Sequence, residues 1–175
     1  MSVSTRRLAV ATLLTGVIAG LVGLACIHLL HWIQAIAWDM HSGTLLNAVS
    51  AVSPSRRVGV LTLAGVVGAL SWFLLFRRNK AITSVSGAVG GTPMPPLRAT
   101  WHALTQVLIV GLGASVGREV APREMAAAFS AAAADRLGLT PEDRRIIVAC
   151  GAGAGLAAVY SIPLSGAIYT LEILL

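Results

Sequence analysis

The residues with the clearest chemical potential form one polar stretch at 117–124, which reads Gly-Arg-Glu-Val-Ala-Pro-Arg-Glu. Proline is favoured in the first turn of a helix, so Pro122 predicts that a helix begins here, close after Glu119. The first turn carries free backbone N–H groups and the positive end of the helix dipole, which both attract anions. A carboxylate at this place can occupy the anion position and vacate it on protonation or displacement, so we predict that Glu119 is a gate. The anion-binding residues predicted around it are Arg118, Val120 and Ala121.

A structural interpretation of Arg118 and Glu119 stays open beside the functional one. Two adjacent residues of opposite charge can form a charge pair at a helix end and bind nothing else. An ionisable residue inside a membrane, in contrast, is costly to bury and is by default a candidate functional residue. The choice between the two interpretations therefore depends on whether the chain crosses a membrane.

The same region contains a pattern typical of serine hydrolases. Residues 113–117 match G-x-S-x-G, and His102 lies upstream as a candidate base. A nucleophile elbow requires a strand before the serine and a base that an acid orients. The residues before Ser115 form an apolar stretch of spanning length, and small residues at this spacing are better explained by close packing of helices. We therefore predict no enzymatic activity.

Two further patterns could bind a cofactor or a metal, but neither is complete. The glycines of residues 151–155 do not give G-x-G-x-x-G, and no strand precedes them. His28 and His31 lie three residues apart, with only Asp39 and His41 near them as further ligands. We interpret the glycines as a helix-packing surface and the histidines as anchors at the membrane–water interface. Neither a cofactor nor a metal site is predicted.

The composition of the chain indicates a membrane protein. It has 175 residues, of which 56% are hydrophobic and 11% are charged. A soluble domain carries about 25% charged residues, and a lipid bilayer, unlike water, accepts apolar side chains on the protein surface. Eighteen glycines and only 5% aromatic residues favour closely packed helices over an aromatic-girdled barrel. The net charge of +6 is assigned to loop orientation and not to nucleic acid, because no basic run is interleaved with aromatic residues.

Four intervals without a formal charge approach or exceed the length of a membrane span, namely 8–38, 58–76, 99–117 and 146–171. We predict a long, tilted helix in the first interval and a second span in the next. Basic residues cluster before the first span and after the second, at Arg6, Arg7, Arg77, Arg78 and Lys80. The loop at 39–57 is less basic. The positive-inside rule therefore places the N-terminus in the cytoplasm, and we expect the plasma (inner) membrane.

After residue 80, clean spans give way to short apolar segments divided by Gly and Pro. The predicted elements are a helix too short to cross at 82–89, a span at 97–116, an alanine-rich helix at 126–134, a helix from 144 to about 160, and a last one from 163 onward. Thr140 followed by Pro141 is typical of a helix start, with the threonine as N-cap. Short or interrupted helices at membrane depth line a cavity or pack inside protein, and in transporters they mark the substrate site.

The stretch at 117–124, followed by GAGAGLAAVYSIPLSGAIYTLEILL at 151–175, resembles the CLC family of chloride channels and chloride/proton exchangers. In that family a GREGP-like element opens a helix at the anion pathway. The resemblance implies an all-α integral membrane fold, a multi-helix bundle with tilted, short and interrupted helices. It implies that residues 1–175 are the N-terminal half of this domain, one of two inverted repeats, and that the second half is absent from this chain. It also implies homodimers with one pathway per subunit.

Two departures from the family pattern concern the anion site. In the family Gly follows the acid directly, whereas two residues separate Glu119 from Pro122 here. The family's GSGIP element, whose serine coordinates the anion, is absent, and Lys80 falls near the position of that serine. The resemblance thus implies Lys80 as a further anion-binding residue. The alternative is a cytoplasmic anchor that belongs with the neighbouring arginines.

A third departure concerns protons. Exchangers of the family commonly carry a cytoplasm-facing Glu immediately after the position of Glu172, and this chain has Ile173 there. Glu172 is then the only local candidate for a proton pathway, so we expect weak or no proton coupling. The resemblance implies transport of small inorganic anions, chloride-like, through a glutamate-gated pathway, as a passive channel or an anion/proton exchanger. The alternative is a transport-incompetent half that serves as an assembly or regulatory membrane module.

Overall fold

The computed structural model describes residues 3–77 and 81–175, and within these ranges all regular structure is helical. The α-helices are α1 (Val3–Trp38), α2 (Leu45–Ala51), α3 (Pro54–Phe76), α4 (Val85–Val89), α5 (Pro96–Gly111), α6 (Val120–Arg136), α7 (Pro141–Tyr160) and α8 (Pro163–Tyr169), and a π-helical segment follows at Thr170–Leu174. The prediction of an all-α membrane fold with short and interrupted helices is confirmed.

Helices α1 and α3 are long and apolar enough to cross a membrane, over Thr5–Trp38 and Pro54–Phe76. The 36 residues of α1 extend for about 54 Å at ~1.5 Å per residue, well beyond the ~30 Å of a hydrocarbon core, so this helix must tilt or protrude. Large apolar side chains of both helices face outward, among them Leu13 at 74% and Val58 at 67% exposure. Contact with lipid accounts for such a surface, and both helices agree with the predicted spans.

Two arginines donate hydrogen bonds to carbonyls in the last turns of α1 and α2. The guanidinium of Arg56 donates to the carbonyls of Ala37 at 3.0 Å and Ile36 at 3.1 Å, in the last turn of α1. Arg57 donates to the carbonyl of Ser50 at 2.7 Å, in the last turn of α2. The last carbonyls of a helix lack partners within the helix, so these bonds satisfy them. The short helix α2 lies in the segment that the sequence analysis treated only as a loop.

Helix α5 ends at Gly111, whereas the sequence predicts a span to residue 116; this prediction is wrong in its C-terminal boundary. The indole Nε1 of Trp38 donates to the carbonyl of Gly111 at 3.0 Å, so this terminal carbonyl has a hydrogen-bond partner. Gly113 then has a φ of +96°, a conformation that a helix cannot contain. Apolar composition continues past this point, but the backbone does not stay helical.

Helix α6 begins at Val120 and is continuous to Arg136, so the alanine-rich helix predicted at 126–134 is its second half. Pro122 occupies its third position, where the missing N–H costs no helical hydrogen bond. The prediction that a helix starts near Pro122 is confirmed.

Helix α7 begins at Pro141, and the predicted cap is present, because the Thr140 side chain accepts a hydrogen bond of 3.2 Å from the backbone N–H of Asp143. The helix therefore starts a turn earlier than the predicted residue 144. It ends before Ser161, whose φ of 56° is left-handed. This turn separates α7 from α8 and positions the last residue of α7 beside the start of α6.

Glycines bring α6 and α7 into close contact. A Cβ atom on Gly155 would lie 2.8 Å from the Cβ of Ala126, and one on Gly151 would lie 2.8 Å from the Cβ of Ser130. Real Cβ atoms do not approach so closely, so larger residues at these positions would separate the helices. The predicted packing surface at 151–155 is confirmed.

The bundle has two distinct ends. At one end, Arg7 of α1 approaches Gly138 in the turn between α6 and α7. Arg98, near the start of α5, donates there to the carbonyl of Leu75 at 3.1 Å, in the last turn of α3. The opposite end holds the last turn of α1 and the loop from α5 to α6. The polar stretch predicted to bind anions lies at this second end.

Candidate functional site

The loop between α5 and α6 determines where Glu119 points. Gly117 has a φ of +78°, which reverses the chain direction, and the carboxylate of Glu119 folds back over this glycine. A Cβ atom at residue 117 would lie 2.6 Å from Oε2 and 2.7 Å from Cδ of Glu119. The backbone conformation therefore favours glycine here, and a Cβ atom would also displace the flexible end of the Glu119 side chain.

Tyr160, the last residue of α7, contacts both charged residues of the motif. Its hydroxyl donates to Oε2 of Glu119 at 3.3 Å, and the guanidinium carbon of Arg118 lies 4.9 Å from the centre of its ring. The second contact has the distance of a cation–π interaction. No ion pair joins Arg118 to Glu119 in the described part of the chain. The structural interpretation of these two residues as a simple charge pair thus lacks its direct contact.

The N-terminus of α6 is not capped by the acid that precedes it. Glu119 occupies the N-cap position, but its side chain makes no hydrogen bond to the backbone of the helix. The first two N–H groups of α6 belong to Val120 and Ala121, and Pro122 has none. Such groups have no partner within a helix and carry the positive end of its dipole. The site thus combines two backbone donors with a partly buried carboxylate beside them.

A cavity of about 130 Å³ lies next to this site. It is large enough for a small anion or several water molecules. Two predicted anion-binding residues, Arg118 and Ala121, contribute to its wall, together with Gly117. The remaining lining residues are Cys26, Ile27, Leu30, His31, Gln106, Val107, Val110 and Val159. The wall is mainly apolar, and its polar groups are concentrated on Arg118, His31 and Gln106.

The sequence of this chain matches the profile of a known protein family. The profile described as voltage gated chloride channel matches residues 62–175, which include both the polar stretch at 117–124 and the glycine-rich helix. The chain belongs to the voltage-gated chloride channel family. The predicted resemblance to CLC proteins is confirmed, and the membrane location that the two apolar spans indicate agrees with it.

Curated relatives extend this likeness over nearly the whole chain. The voltage-gated ClC-type chloride channel ClcB of Salmonella typhi is 33% identical over 97% of this chain, and that of Citrobacter koseri is 32% identical over the same share. An Escherichia coli ClcB is 31% identical. The chain spans 41% of the length of each of these relatives. No solved structure matches the chain.

Two other predicted site residues are not brought to Glu119. Lys80 lies outside the described residues. Glu172 is exposed within Thr170–Leu174. The carbonyl of Leu175 accepts a hydrogen bond of 3.0 Å from Arg145, in the first turns of α7, whereas Glu119 contacts the last residue of that helix. Glu172 therefore lies toward the opposite end of α7 from the gate residue.

The alternative chemical patterns of the sequence take other roles in the structure. Residues 113–117 follow a helix and not a strand, so the geometry of a nucleophile elbow is missing. Within the described ranges no group of three or more metal-ligating side chains is present. His31 lines the cavity beside the site, a position that the interpretation as an interfacial anchor did not include.

Sequence reasoning missed two contacts near the site, although it names His102 as a candidate base and Glu124 as the end of the polar stretch. Tyr160 contacts the motif from a helix that begins 22 residues after the gate residue. His102 and Glu124 form a buried pair with 2.7 Å between Nδ1 and Oε2. The only local signal was the four-residue spacing of His102 and Gln106 on α5, which places both side chains on one helix face.

Proposed function

We propose that this chain forms the first half of a membrane domain that transports small inorganic anions such as chloride, with the carboxylate of Glu119 as the gate. The observation that carries the proposal is the position of Glu119 directly before α6, whose first N–H groups its side chain leaves unbound. Membership of the voltage-gated chloride channel family and the names of the relatives as chloride channels support chloride as the ion.

The gate works by competition between the carboxylate and a diffusible anion. In the structure the carboxylate accepts a hydrogen bond from Tyr160 and makes none to α6, which leaves the N–H groups of Val120 and Ala121 free. A rotation of the Glu119 side chain toward these donors would place its own negative charge on the anion position. An anion and the carboxylate cannot occupy the same donors, so this second position closes the pathway.

Protonation favours the open position. A helix terminus stabilises a negative charge by roughly 0.3–1 kcal/mol, and a neutral carboxyl group loses that attraction. The anion then competes for the donors against a neutral group. Anion flux should therefore increase as the pH falls.

The arginines favour a cytoplasmic N-terminus in the plasma (inner) membrane. Arg6 and Arg7 are exposed at one end of the bundle. At the other end, Arg56 and Arg57 are bound to the carbonyl ends of α1 and α2, which compensates part of their charge. The free positive charge is thus concentrated at the end that carries the N-terminus, and the positive-inside rule assigns this end to the cytoplasm.

The complete protein is proposed to be a homodimer with one pathway per subunit and weak proton coupling. The exposed Ile173 stands where exchangers of the family carry their inner proton residue. Glu172 is exposed beside it and is the local acid that protons could use. A passive anion pathway is the form of transport that these residues favour.

The test is anion efflux from proteoliposomes that contain the complete protein, measured with an anion-selective electrode from about pH 4 to about pH 8. Glu119→Gln and Glu119→Ala should give high flux near neutral pH with little pH dependence. The matched control is Glu142→Gln, which removes an exposed acid from the first turn of another helix, α7. Its pH profile should equal that of the wild type.

Two results would count against the proposal. An unchanged pH profile in both Glu119 variants would return this residue to a structural role. Absence of anion flux in a correctly assembled wild-type protein would favour the alternative, an assembly or regulatory module.

A further inference from the structure

A buried cluster of three polar side chains links α5 and α6. Nδ1 of His102 lies 2.7 Å from Oε2 of Glu124, and the side chains are only 16% and 10% exposed. The amide nitrogen of Gln106 lies 3.0 Å from Nδ1 and 3.3 Å from Nε2 of the same imidazole. The proposed role of Glu119 as a gate uses none of these residues.

The short contact between His102 and Glu124 favours one arrangement of the hydrogen atoms. A separation of 2.7 Å is typical of a charge-assisted hydrogen bond, in which Nδ1–H of His102 donates to the carboxylate. In this arrangement the lone pair of the neutral imidazole is at Nε2, and the amide nitrogen of Gln106 lies 3.3 Å from it. When Nε2 gains a proton, rotation of the amide by about 180° presents the Gln106 oxygen, which accepts from Nε2–H. Gln106 can therefore form a hydrogen bond with Nε2 in both protonation states of the imidazole.

The charge balance favours the uptake of one proton. With a neutral His102 the cluster carries the uncompensated negative charge of Glu124 in a poorly solvated place, which is costly. One added proton makes the pair electrically neutral, either as imidazolium with carboxylate or as imidazole with carboxylic acid. Two ionisable groups at this distance can share such a proton.

Gln106 connects the cluster to a cavity. It lines the cavity of about 130 Å³ that Arg118 also lines. The other titratable or charged groups of this cavity are Cys26 and His31 of α1. From α3 the ring of Trp72 lies beside His102 at a centroid distance of 6.2 Å. The cavity is thus the side from which a proton can approach the pair through Gln106.

We propose that His102 and Glu124, with Gln106 as their partner toward the cavity, form a proton-binding site in the core of this half, separate from Glu119. The site binds one exchangeable proton between α5 and α6. Proton binding here does not rest on the proposed anion transport, because it requires only the buried pair and its access to water.

The test is nitrogen-15 NMR of the complete protein in lipid with labelled histidines, from about pH 5 to about pH 9. His102→Gln assigns the resonance by its loss. We expect the His102 ring to change between neutral and imidazolium forms within this range, with Nδ1 protonated throughout. In Glu124→Gln the imidazolium form should be lost, because a buried imidazolium has no counter-charge there. The exposed His28 is the internal control, and its ring signals should be the same in both proteins.

Two outcomes would overturn the proposal. A His102 ring that keeps one protonation state across the whole range in the wild type would overturn it. A Glu124→Gln protein that folds and still forms the His102 imidazolium to the same extent would also overturn it. If Glu124→Gln does not fold, the wild-type titration alone decides. Loss of anion transport without a change in the His102 signals would affect the gate proposal and leave the proton site intact.

Discussion

The hydroxyl of Tyr160 donates a hydrogen bond of 3.3 Å to Oε2 of Glu119, across 41 residues of chain. Its ring also lies 4.9 Å from the guanidinium carbon of Arg118. One side chain at the end of α7 thus holds both charged residues that precede α6. The carboxylate makes this bond and no hydrogen bond to the backbone of α6, so we assign Tyr160 to the proposed gate as the residue that holds the carboxylate.

The first prediction concerns this hydroxyl. Tyr160→Phe keeps the ring under Arg118 and removes the donor to Glu119. A hydrogen bond to a charged group contributes about 1.5–3 kcal/mol when buried and less at this partly exposed place. The carboxylate should then occupy the α6 donors more often, and anion flux near neutral pH should fall by roughly tenfold. Tyr169→Phe, which removes the hydroxyl that contacts Arg123, is the control. The same decrease in a Glu119→Gln background would exclude an effect through the carboxylate.

The second prediction concerns Gly117. A Cβ atom there meets the carboxylate of Glu119, and the φ of +78° strains any other residue by roughly 1–2 kcal/mol. Gly117→Ala should therefore lower the thermal unfolding temperature in detergent and displace Glu119. The double variant with Glu119→Ala should recover part of the loss, because it removes the contact but not the strain. Gly16→Ala, with open space around its Cβ, should show no such loss. Equal unfolding temperatures for Gly117→Ala and wild type would contradict the described loop.

The third prediction concerns the contact between α6 and α7. Gly155→Ala would place a Cβ atom 2.8 Å from that of Ala126, and overpacking of this kind costs about 1–3 kcal/mol. We expect a clear decrease in unfolding temperature and in the yield of folded protein from detergent extracts. Gly65→Ala on α3 has open space at its Cβ and serves as the control. A Gly155→Ala protein as stable as the control would refute the close packing of the two helices.

The fourth prediction concerns orientation in the membrane. In a protein whose native Cys26 and Cys150 are replaced by Ala, a cysteine introduced at the exposed Ser42 should react with an impermeant reagent from outside the cell. A cysteine introduced at Glu142, at the opposite end of the bundle, should react only after the cells are opened. Labelling of the Ser42 position from the cytoplasmic side alone would reverse the assignment.

The fifth prediction concerns protons. The family resemblance implies that Ile173 occupies the position of an exchanger's inner acid. Anion efflux from proteoliposomes should therefore move few protons, recorded with an anion electrode and a pH electrode together. A protonophore added at the end calibrates the proton signal. Any residual coupling should decrease in Glu172→Gln, since Glu172 is the local acid. A fixed proton-to-anion ratio that survives this substitution would refute both statements.

Some parts of the fold were accessible from the sequence because their causes are local. Hydropathy over 8–38 and 58–76 identifies the two spans, since a bilayer selects for uninterrupted apolar length. Thr140 and the proline after it define the start of α7 through a bond to a neighbouring residue. The motif at 117–124 gives the start of α6 from adjacent residues alone, and together with residues 151–175 it gives the family.

Boundaries that depend on distant contacts were not accessible. The apolar sequence continues to residue 116, yet α5 ends at Gly111, where Trp38 of another helix binds its carbonyl. The helix α2 could not be predicted from the sequence either, since Arg57 from α3 donates to a carbonyl of its last turn. A hydropathy pattern records where a segment is apolar but not which distant donor ends it.

The sequence by itself determined the membrane class, the family, the spans and the identity of Glu119 as the candidate gate. Only the tertiary structure decided that Tyr160 on α7 contacts this residue. It also decided that His102 and Glu124 pair in the core. The physical reason is that helices apolar on all sides have no marked polar face to fix their rotation. Close approach at glycines such as Gly155 sets their rotation and crossing instead, and these contacts join residues far apart in the chain.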